Sequence, residues 1–292
     1  MDNSIGIIAG SGQFPFLVAQ GAKEAGLRVA ACGFHDTTDP ALAKDVDAFT
    51  LLYLSQVGGL IDFFKKNNIT RICLAGAINK PKAMQLPALL LKADNKGREF
   101  YGKFKDAPKG DDALLRLIAS ELQSEGFNVV PPNALTTDLH GASGLLGTLC
   151  PGPDTVRDIR FGWKIAKAVG ALDIGQCVVV RSGMVAAVEG MEGTDACLAR
   201  GGSLGGPGCT AVKVIKPGQD ERLDLPSLGS KTIALLAENG FACLAFEARG
   251  TLFFDKEEAL ALANEKNIAV VAIPEDADAF FDSLEKGEVQ GQ

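Results

Sequence analysis

The chain has 292 residues and a formal net charge of −7, and hydrophobic residues make up 47% of it. This length favours two domains over one hydrophobic core, and the composition is ordinary for a soluble globular protein, which excludes a disordered or fibrous class. The acidic balance argues against a nucleic-acid-binding protein, because neutralising phosphates along a duplex needs clustered lysine and arginine.

The cysteines and the N-terminus indicate the compartment. The seven cysteines include no C-x-x-C pair, and His35 and His140 are the only histidines that could join them as metal ligands. We therefore expect neither a zinc nor an iron–sulfur site, and an odd number of unclustered cysteines favours a reducing cytosol. No basic and apolar leader opens the chain, and no run reaches the roughly 18 apolar residues of a membrane-spanning helix. The sequence predicts a cytoplasmic protein.

The first 132 residues alternate apolar runs with helical patterns, which predicts a Rossmann-like parallel sheet. A strand at residues 5–9 leads into a glycine turn and then a helix that begins near Pro15. The further elements predicted here are strands at 27–32, 48–53, 70–75 and 128–130, and helices at 56–67 and 111–126.

The second half is again mixed α and β, after a segment rich in Pro, Gly and Thr. We predict an N-terminal domain at 1–132, a linker region at 133–153 and a C-terminal α/β domain at 154–292, with a ligand cleft between the two domains. The glycine-rich residues 201–208 are predicted to form a solvent loop, with a mobile lid as the alternative. The other elements predicted are strands at 177–181, 184–188 and 211–215, and helices at 154–169, from 194 onward, and at 230–239.

The turn Gly10-Ser11-Gly12-Gln13 stands where a dinucleotide-binding turn would expose backbone amides to a phosphate. Its match to G-x-G-x-x-G is incomplete, because Pro15 replaces the third glycine. A phosphate-facing loop and a plain tight turn both remain open. Asn79 and Lys80 follow the strand at 70–75 and are candidate ligand contacts at the same sheet edge.

Residues 80–109 carry eight basic residues against three acidic ones. Two interpretations stay open for this basic stretch: a solvated helix and loop, or a surface that faces an anionic, partly apolar ligand or a membrane.

Several acidic and polar residues lie in short loops or at helix starts. Asp112 lies in the first turn of a predicted helix that Asp111 caps, where the helix dipole explains it and a hydrated magnesium ion is the alternative. The others lie beside glycines in loops that are ordinary turns when taken singly, and they are Gln176, Glu189, Thr194 and Asp195.

Asp224 is harder to explain as a turn residue. It lies between Leu223 and Leu225, where an ionised carboxylate needs a cation or strong donors. Neither histidine adjoins a nucleophile motif such as G-x-S-x-G, so acyl-enzyme catalysis is not expected. Carboxylates, glycines and lysines instead suit a magnesium ion held by one or two carboxylates and the substrate phosphates.

Six motifs, in one order over residues 5–275, resemble the LpxI-type UDP-2,3-diacylglucosamine pyrophosphatases. They are Gly10-Ser11-Gly12-Gln13-Phe14-Pro15, Ala75-Gly76 with Lys80-Pro81, Gly110-Asp111-Asp112, Asp173-Ile174-Gly175-Gln176, Glu189 with Thr194-Asp195, and Leu223-Asp224-Leu225-Pro226.

The resemblance implies that water splits UDP-2,3-diacylglucosamine into UMP and 2,3-diacylglucosamine 1-phosphate (lipid X) in lipid A synthesis, with Mg2+ required. It implies that Asp224 is the essential metal-linked residue. We expect Lys213 and Glu189 to act in catalysis, with Lys80 as an alternative to Lys213 at the leaving phosphate. The residues expected to bind substrate are Gly10, Ser11, Gly12, Gln13, Asn79, Lys80, Asp112, Gln176, Thr194 and Asp195.

Two other functions remain open. A Rossmann-type NAD(P) oxidoreductase is favoured by the strand, turn and helix that open the chain, and a non-catalytic nucleotide-sugar or lipid-binding protein is favoured by the basic stretch. The sequence also leaves open a peripheral contact with the cytoplasmic face of the inner membrane, and a homodimer.

Overall fold

A computed structural model describes residues 3–77, 91–106, 111–136, 139, 143–218, 220, 222–223 and 225–289. The chain divides into two compact units, which are Met1–Thr137 with Asp220–Asp224, and Asp138–Gln219 with Leu225–Gln292. The predicted fold class is confirmed: an α/β chain with a parallel, Rossmann-like sheet in its N-terminal part and a mixed α/β C-terminal part. The cleft expected between the two domains stays a prediction.

The first unit contains a five-stranded sheet in which every strand pair is parallel. Its strands are β1 (Ser4–Ala9), β2 (Arg28–Phe34), β3 (Ala48–Leu52), β4 (Arg71–Ala75) and β5 (Asn128–Val129), in the spatial order β3-β2-β1-β4-β5. Its helices are α1 (Phe14–Glu24), α2 (Val57–Lys66), α3 (Asn95–Asp106) and α4 (Asp111–Ser124), with 3-10 turns at Pro40–Lys44 and Pro132–Leu135.

The central strand β1 is buried along its whole length because helices cover both faces of this sheet. Successive side chains of a strand point to opposite faces. Ile7 packs in one apolar cluster with Val18 of α1, whereas Ile8 packs in another with Phe64 of α2 and Leu122 of α4. A continuous apolar strand is therefore the expected signature of this position.

Part of the basic stretch is paired within the first unit. The ammonium group of Lys96 forms ion pairs with Glu121 and Glu125 of α4, and Lys103 forms one with Glu121 at 2.6 Å. Lys92 lies over the ring of Tyr53, 3.5 Å from its centroid. In the described part of the stretch, these contacts give three of the basic residues a structural role.

The second unit contains a six-stranded mixed sheet and a parallel two-stranded sheet. The strands are β6 (Gly144–Leu146), β7 (Cys177–Arg181), β8 (Met184–Val188), β9 (Cys209–Lys213), β10 (Ser227–Leu228), β11 (Phe241–Glu247), β12 (Leu252–Phe253) and β13 (Ala269–Ile273). The larger sheet has the order β6-β13-β11-β9-β7-β8, and β10 pairs with β12. The strand predicted at 211–215 is found two residues earlier, at Cys209–Lys213.

Helices cover both faces of the larger sheet. They are α5 (Pro153–Ala171), α6 (Thr194–Gly205), α7 (Ser230–Glu238), α8 (Lys256–Glu265) and α9 (Ala277–Glu285). Leu198, Ile233 and Phe246 lie in the apolar cluster on the α6–α7–α8 side, and Ile159 and Phe281 lie in the cluster on the α5–α9 side. None of the helices in the described ranges is long and apolar enough to cross a membrane.

The prediction of a loop at residues 201–208 was wrong for its first part. Gly201 to Gly205 continue α6, and only the following residues form a turn. A Cβ atom at Gly201 would lie 2.5 Å from the side chain of Val179, so glycine lets this helix approach β7 closely. Glycine at position 201 thus serves helix–sheet packing, whereas the glycine-rich composition alone had predicted a loop.

Candidate functional site

Three strand ends meet at one edge of the larger sheet of the second unit. β7 runs antiparallel to both β8 and β9, with Cys177 opposite Lys213 and Val178 opposite Val188. The start of β7 therefore lies beside the ends of the other two strands. This edge gathers four of the predicted site residues, which are Gln176, Glu189, Thr194 and Lys213.

The carboxylate of Glu189 ties two loops of this edge together. Its side chain belongs to a buried residue, 7% exposed. One oxygen accepts a hydrogen bond from the backbone amide of Gln176 at 3.1 Å, and the other accepts one from the hydroxyl of Thr194 at 3.0 Å. Because an ionised carboxylate has about four acceptor positions, both oxygens keep capacity for a further donor or a cation.

Lys213 places a buried ammonium group at the end of β9. The residue is 6% exposed, and its Nζ donates a hydrogen bond to the carbonyl oxygen of Ser227 at 2.9 Å. Within the described ranges, no carboxylate forms an ion pair with it. A buried charge is costly unless it is paired, so this ammonium is suited to an anionic ligand.

Gln176 has a fixed backbone and an unpaired side-chain oxygen. Its amide donates to Glu189, and its carbonyl accepts from the amide of Val214 at 2.9 Å. The side-chain Oε1 atom is buried and has no hydrogen-bond partner in the described part of the chain. Buried acceptors are normally paired, so this oxygen is a candidate acceptor for a ligand donor.

Asp195 is adjacent to Thr194 in the sequence, but its side chain lies in a different, solvent-exposed environment. It is exposed in the first turn of α6, where a carboxylate is stabilised by the helix dipole. Among the described residues we find no hydrogen bond or ion pair of its side chain. Its predicted substrate contact stays a prediction.

Lys167 and Glu247 also lie at this edge and were not singled out from the sequence. Their side chains form an ion pair of 2.5 Å, and both contact the backbone of Ile215: Glu247 accepts from its amide at 2.8 Å and Lys167 donates to its carbonyl at 3.2 Å. The pair therefore anchors the segment that follows Lys213. The feature that could have identified Glu247 is its position. It ends a buried strand, and that strand lies parallel to the strand that ends at Lys213.

In the first unit, the turn after β1 lies against the residues that follow β4. The amide of Ser11 donates to the carbonyl of Ala77 at 2.8 Å and the amide of Gly10 donates to that of Ala75 at 2.7 Å. A Cβ atom at Gly10 would lie 2.5 Å from the carbonyl oxygen of Ala77, so close packing requires glycine there. Of the three residues 10–12, only Gly12 has a backbone amide without a partner in the described residues.

The helix start beyond this turn agrees with the sequence interpretation. Helix α1 begins at Phe14, and Pro15 occupies its first turn, where a missing amide hydrogen costs nothing. Gln13 stands at the N-cap position without a capping hydrogen bond from its side chain. Whether Gln13 and the turn contact a ligand stays a prediction.

Several predicted residues lie outside what the structure describes. Asn79, Lys80 and Asp224 are outside the described residues, and Asp112 is described only as a backbone position of α4. Leu223 and Leu225, which flank Asp224 in sequence, are buried, at 5% and 8% exposure.

A further ion pair precedes Asp224. Arg222 binds the carboxylate of Asp220 through two nitrogens, with distances of 2.9 Å and 2.6 Å, and the hydrogen bonds hold the pKa of Asp220 below its usual range. This ion pair constrains the chain just before Asp224 in the sequence. No local sequence pattern predicted this pair.

The described residues do not form a metal site by themselves. No group of three or more His, Cys, Asp or Glu side chains lies close enough to hold a metal ion in the described ranges. A magnesium site at Asp224, which lies outside the described residues, stays a prediction.

Comparisons with known proteins cover both units. The model of the LpxI N-terminal domain matches residues 4–139, and the model of the LpxI C-terminal domain matches residues 142–271. The protein described as UDP-2,3-diacylglucosamine pyrophosphatase LpxI of Caulobacter vibrioides is 32% identical over 280 residues, which cover 92% of this chain and 97% of that protein.

Proposed function

Because the chain belongs to the LpxI family, we propose that it hydrolyses the pyrophosphate bond of UDP-2,3-diacylglucosamine in lipid A synthesis. Water attacks one phosphorus, the bridging P–O bond breaks, and the products are UMP and 2,3-diacylglucosamine 1-phosphate. The observation that best supports this chemistry is the buried ammonium of Lys213, which has no carboxylate partner in the described residues.

Lys213 neutralises the charge that develops on the leaving phosphate. Its hydrogen bond to Ser227 uses one of the three donors of the ammonium group and fixes the position of the nitrogen. The other two donors are left for phosphate oxygens. In a site with little water, a cation held in place in this way stabilises a developing negative charge strongly.

Glu189 has two tasks in this proposal. Its hydrogen bonds hold Gln176 and Thr194 in fixed positions beside Lys213. Its remaining acceptor capacity allows it to accept a proton from the attacking water. The unpaired oxygen of Gln176 accepts a hydrogen bond from a hydroxyl or amide of the sugar.

Asp224 is the residue proposed to hold magnesium, together with the substrate phosphates. When bound, the ion would polarise phosphoryl oxygens and lower the pKa of a bound water. Leu223 and Leu225, which flank Asp224 in the sequence, are buried. The turn Gly10-Ser11-Gly12-Gln13 and residues Asn79, Lys80, Asp112 and Asp195 are proposed as further substrate contacts.

The direct test is release of UMP from UDP-2,3-diacylglucosamine by the purified protein, with and without Mg2+, for wild type and Asp224→Ala. We expect magnesium-dependent release that the substitution abolishes while the fold, checked by circular dichroism, is kept. A folded wild type that binds the substrate but releases no UMP with any divalent metal would instead be a non-catalytic binding protein.

The location of the enzyme follows from its proposed substrate. Two acyl chains hold the substrate at a membrane, so we place the protein in the cytoplasm with peripheral access to the inner membrane. No observation favours a NAD(P) oxidoreductase over the family function, since Pro15 and the pairing of the Gly10 and Ser11 amides leave the dinucleotide fingerprint incomplete. A homodimer stays untested.

A further inference from the structure

Two ring side chains lie together at the carboxyl edge of the parallel sheet in the first unit. His35 follows β2 and is exposed, Tyr53 follows β3 and is half-buried, and their ring centroids are 4.5 Å apart. The ammonium of Lys92 lies 3.5 Å from the centroid of the Tyr53 ring, within cation–π range. The proposed reaction gives none of these three residues a role.

The backbone that carries the rings is held by buried hydrogen bonds. The amide of His35 donates to the carbonyl of Leu52 at 2.9 Å, just before Tyr53. The hydroxyl of Thr38, which is 7% exposed, donates to the carbonyl of Ala9 at 2.6 Å and so ties the loop after β2 to the end of β1. The exposed His35 is thus carried on a fixed backbone, which lowers the entropy cost of binding a ligand.

The position of the rings relative to the glycine turn is set by the sheet register. Ala9 pairs with Gly33, and Phe34 pairs with Leu52, so the turn at 10–12, His35 and Tyr53 leave the sheet at about the same level. Neighbouring strands are about 4.8 Å apart, so Tyr53 lies about two strand spacings from the turn. In open parallel α/β sheets, ligands bind at the carboxyl ends of the strands.

We propose that the exposed ring of His35, backed by the ring of Tyr53, is the stacking platform for the nucleobase of the substrate. The proposal rests on the proposed function for the identity of the nucleotide. The contact of Lys92 with Tyr53 holds the tyrosine ring in place. Stacking on an aromatic ring contributes about 1–3 kcal/mol per base and is tolerant of the base, because every base has a π-face. The platform therefore provides affinity for a nucleotide, and selection of uracil requires other contacts.

The test compares two ligands on the full chain. UMP contains base, ribose and phosphate, whereas ribose 5-phosphate lacks the base. We expect wild type to bind UMP about tenfold or more tightly than ribose 5-phosphate in calorimetric titrations. His35→Leu is expected to weaken UMP binding about tenfold and to leave ribose 5-phosphate unchanged, while His35→Phe retains wild-type affinity. Phe161→Leu is the matched control, because Phe161 is an aromatic residue of the second unit that is 40% exposed.

The outcomes separate the platform from the proposed reaction. If wild type hydrolyses UDP-2,3-diacylglucosamine while folded His35→Leu keeps the UMP affinity and the KM of wild type, the platform is wrong and the reaction stands. If wild type shows no hydrolysis but His35→Leu still loses UMP affinity, the reaction is wrong and the platform stands. Equal affinities of wild type for UMP and ribose 5-phosphate would also overturn the platform.

Discussion

The hydroxyl of Thr194 donates a hydrogen bond of 3.0 Å to the carboxylate of Glu189, which lies at the end of the neighbouring strand. Thr194→Val would keep the shape of the side chain and leave one buried oxygen of Glu189 without this donor. We expect the free energy of unfolding to fall by about 1–2 kcal/mol, the usual cost of an unmade hydrogen bond to a buried group. Urea denaturation measures the change.

Thr194→Ser is the control for this hydrogen bond, because serine keeps the hydroxyl and loses only a methyl group. It should retain most of the stability and the turnover of wild type. Equal unfolding midpoints for Thr194→Val and wild type would show that Glu189 does not need this donor.

Lys213 is expected to support catalysis without stabilising the fold. Lys213→Met removes a buried ammonium that has no carboxylate partner in the described residues, so the variant should be at least as stable as wild type. Its kcat/KM should fall by on the order of 100-fold, because the substrate phosphate loses a fixed cation. Steady-state kinetics and urea denaturation together test both halves of the prediction.

The matched control is Lys231→Met, which removes an exposed lysine at the start of α7. It should change neither stability nor kcat/KM beyond small surface effects. The interpretation of Lys213 would be wrong if Lys213→Met kept wild-type kcat/KM, or if it unfolded at much lower urea concentration.

The sequence predicted the sheet of the first unit better than the contacts of the site. Continuous apolar runs such as Ile5 to Ala9 indicate the position and burial of a strand locally, and the parallel arrangement follows from alternation with helices. The partner of Lys213, the carbonyl of Ser227, depends on a backbone position fourteen residues away that no local pattern marks. The helix predicted from residue 194 onward was found, but its continuation to Gly205 was missed because packing against Val179 overrides the low helix propensity of glycine.

The pair of Lys167 and Glu247 should couple strongly, since both side chains also bind the backbone of Ile215. A double-mutant cycle with Lys167→Met and Glu247→Gln is expected to give a coupling energy of about 1 kcal/mol or more by urea denaturation. We also expect kcat/KM to fall in Lys167→Met, because the segment after Lys213 loses an anchor.

An exposed pair gives the comparison for this cycle. Arg249 and Glu275 form an ion pair of 3.0 Å with side chains 69% and 80% exposed, so their coupling should be near zero. A coupling energy of the Lys167 pair as small as that of the Arg249 pair would contradict the anchoring role.

Glu125 should contribute a measurable dependence of stability on pH. Hydrogen bonds from Lys65 and then Lys96 lower the pKa of Glu125 from 4.5 to about 2. Because the folded-state pKa lies below the unfolded value, the stabilisation is fully present above about pH 4.5 and is lost as pH falls toward 2. Glu125→Gln should therefore flatten the acid limb of unfolding free energy against pH.

Lys96→Met serves as the intermediate case for Glu125. It removes one of the two cations, so the acid limb should be shallower than in wild type and steeper than in Glu125→Gln. Identical acid limbs for all three proteins would show that these ion pairs do not contribute to stability.

The cysteines should differ sharply in reactivity in the native protein. Cys150 is exposed, whereas the other six are buried. Burial raises the pKa of Cys32 to about 12, and a hydrogen bond with Cys197 together with burial raises the pKa of Cys177. Because the thiolate is the reactive form, we expect iodoacetamide at pH 8 to add one label to the native protein. Intact mass and peptide mapping should place it at Cys150, all seven cysteines should be labelled in urea, and native Cys150→Ser should stay unlabelled; rapid native labelling of a second cysteine would contradict the burial of these side chains.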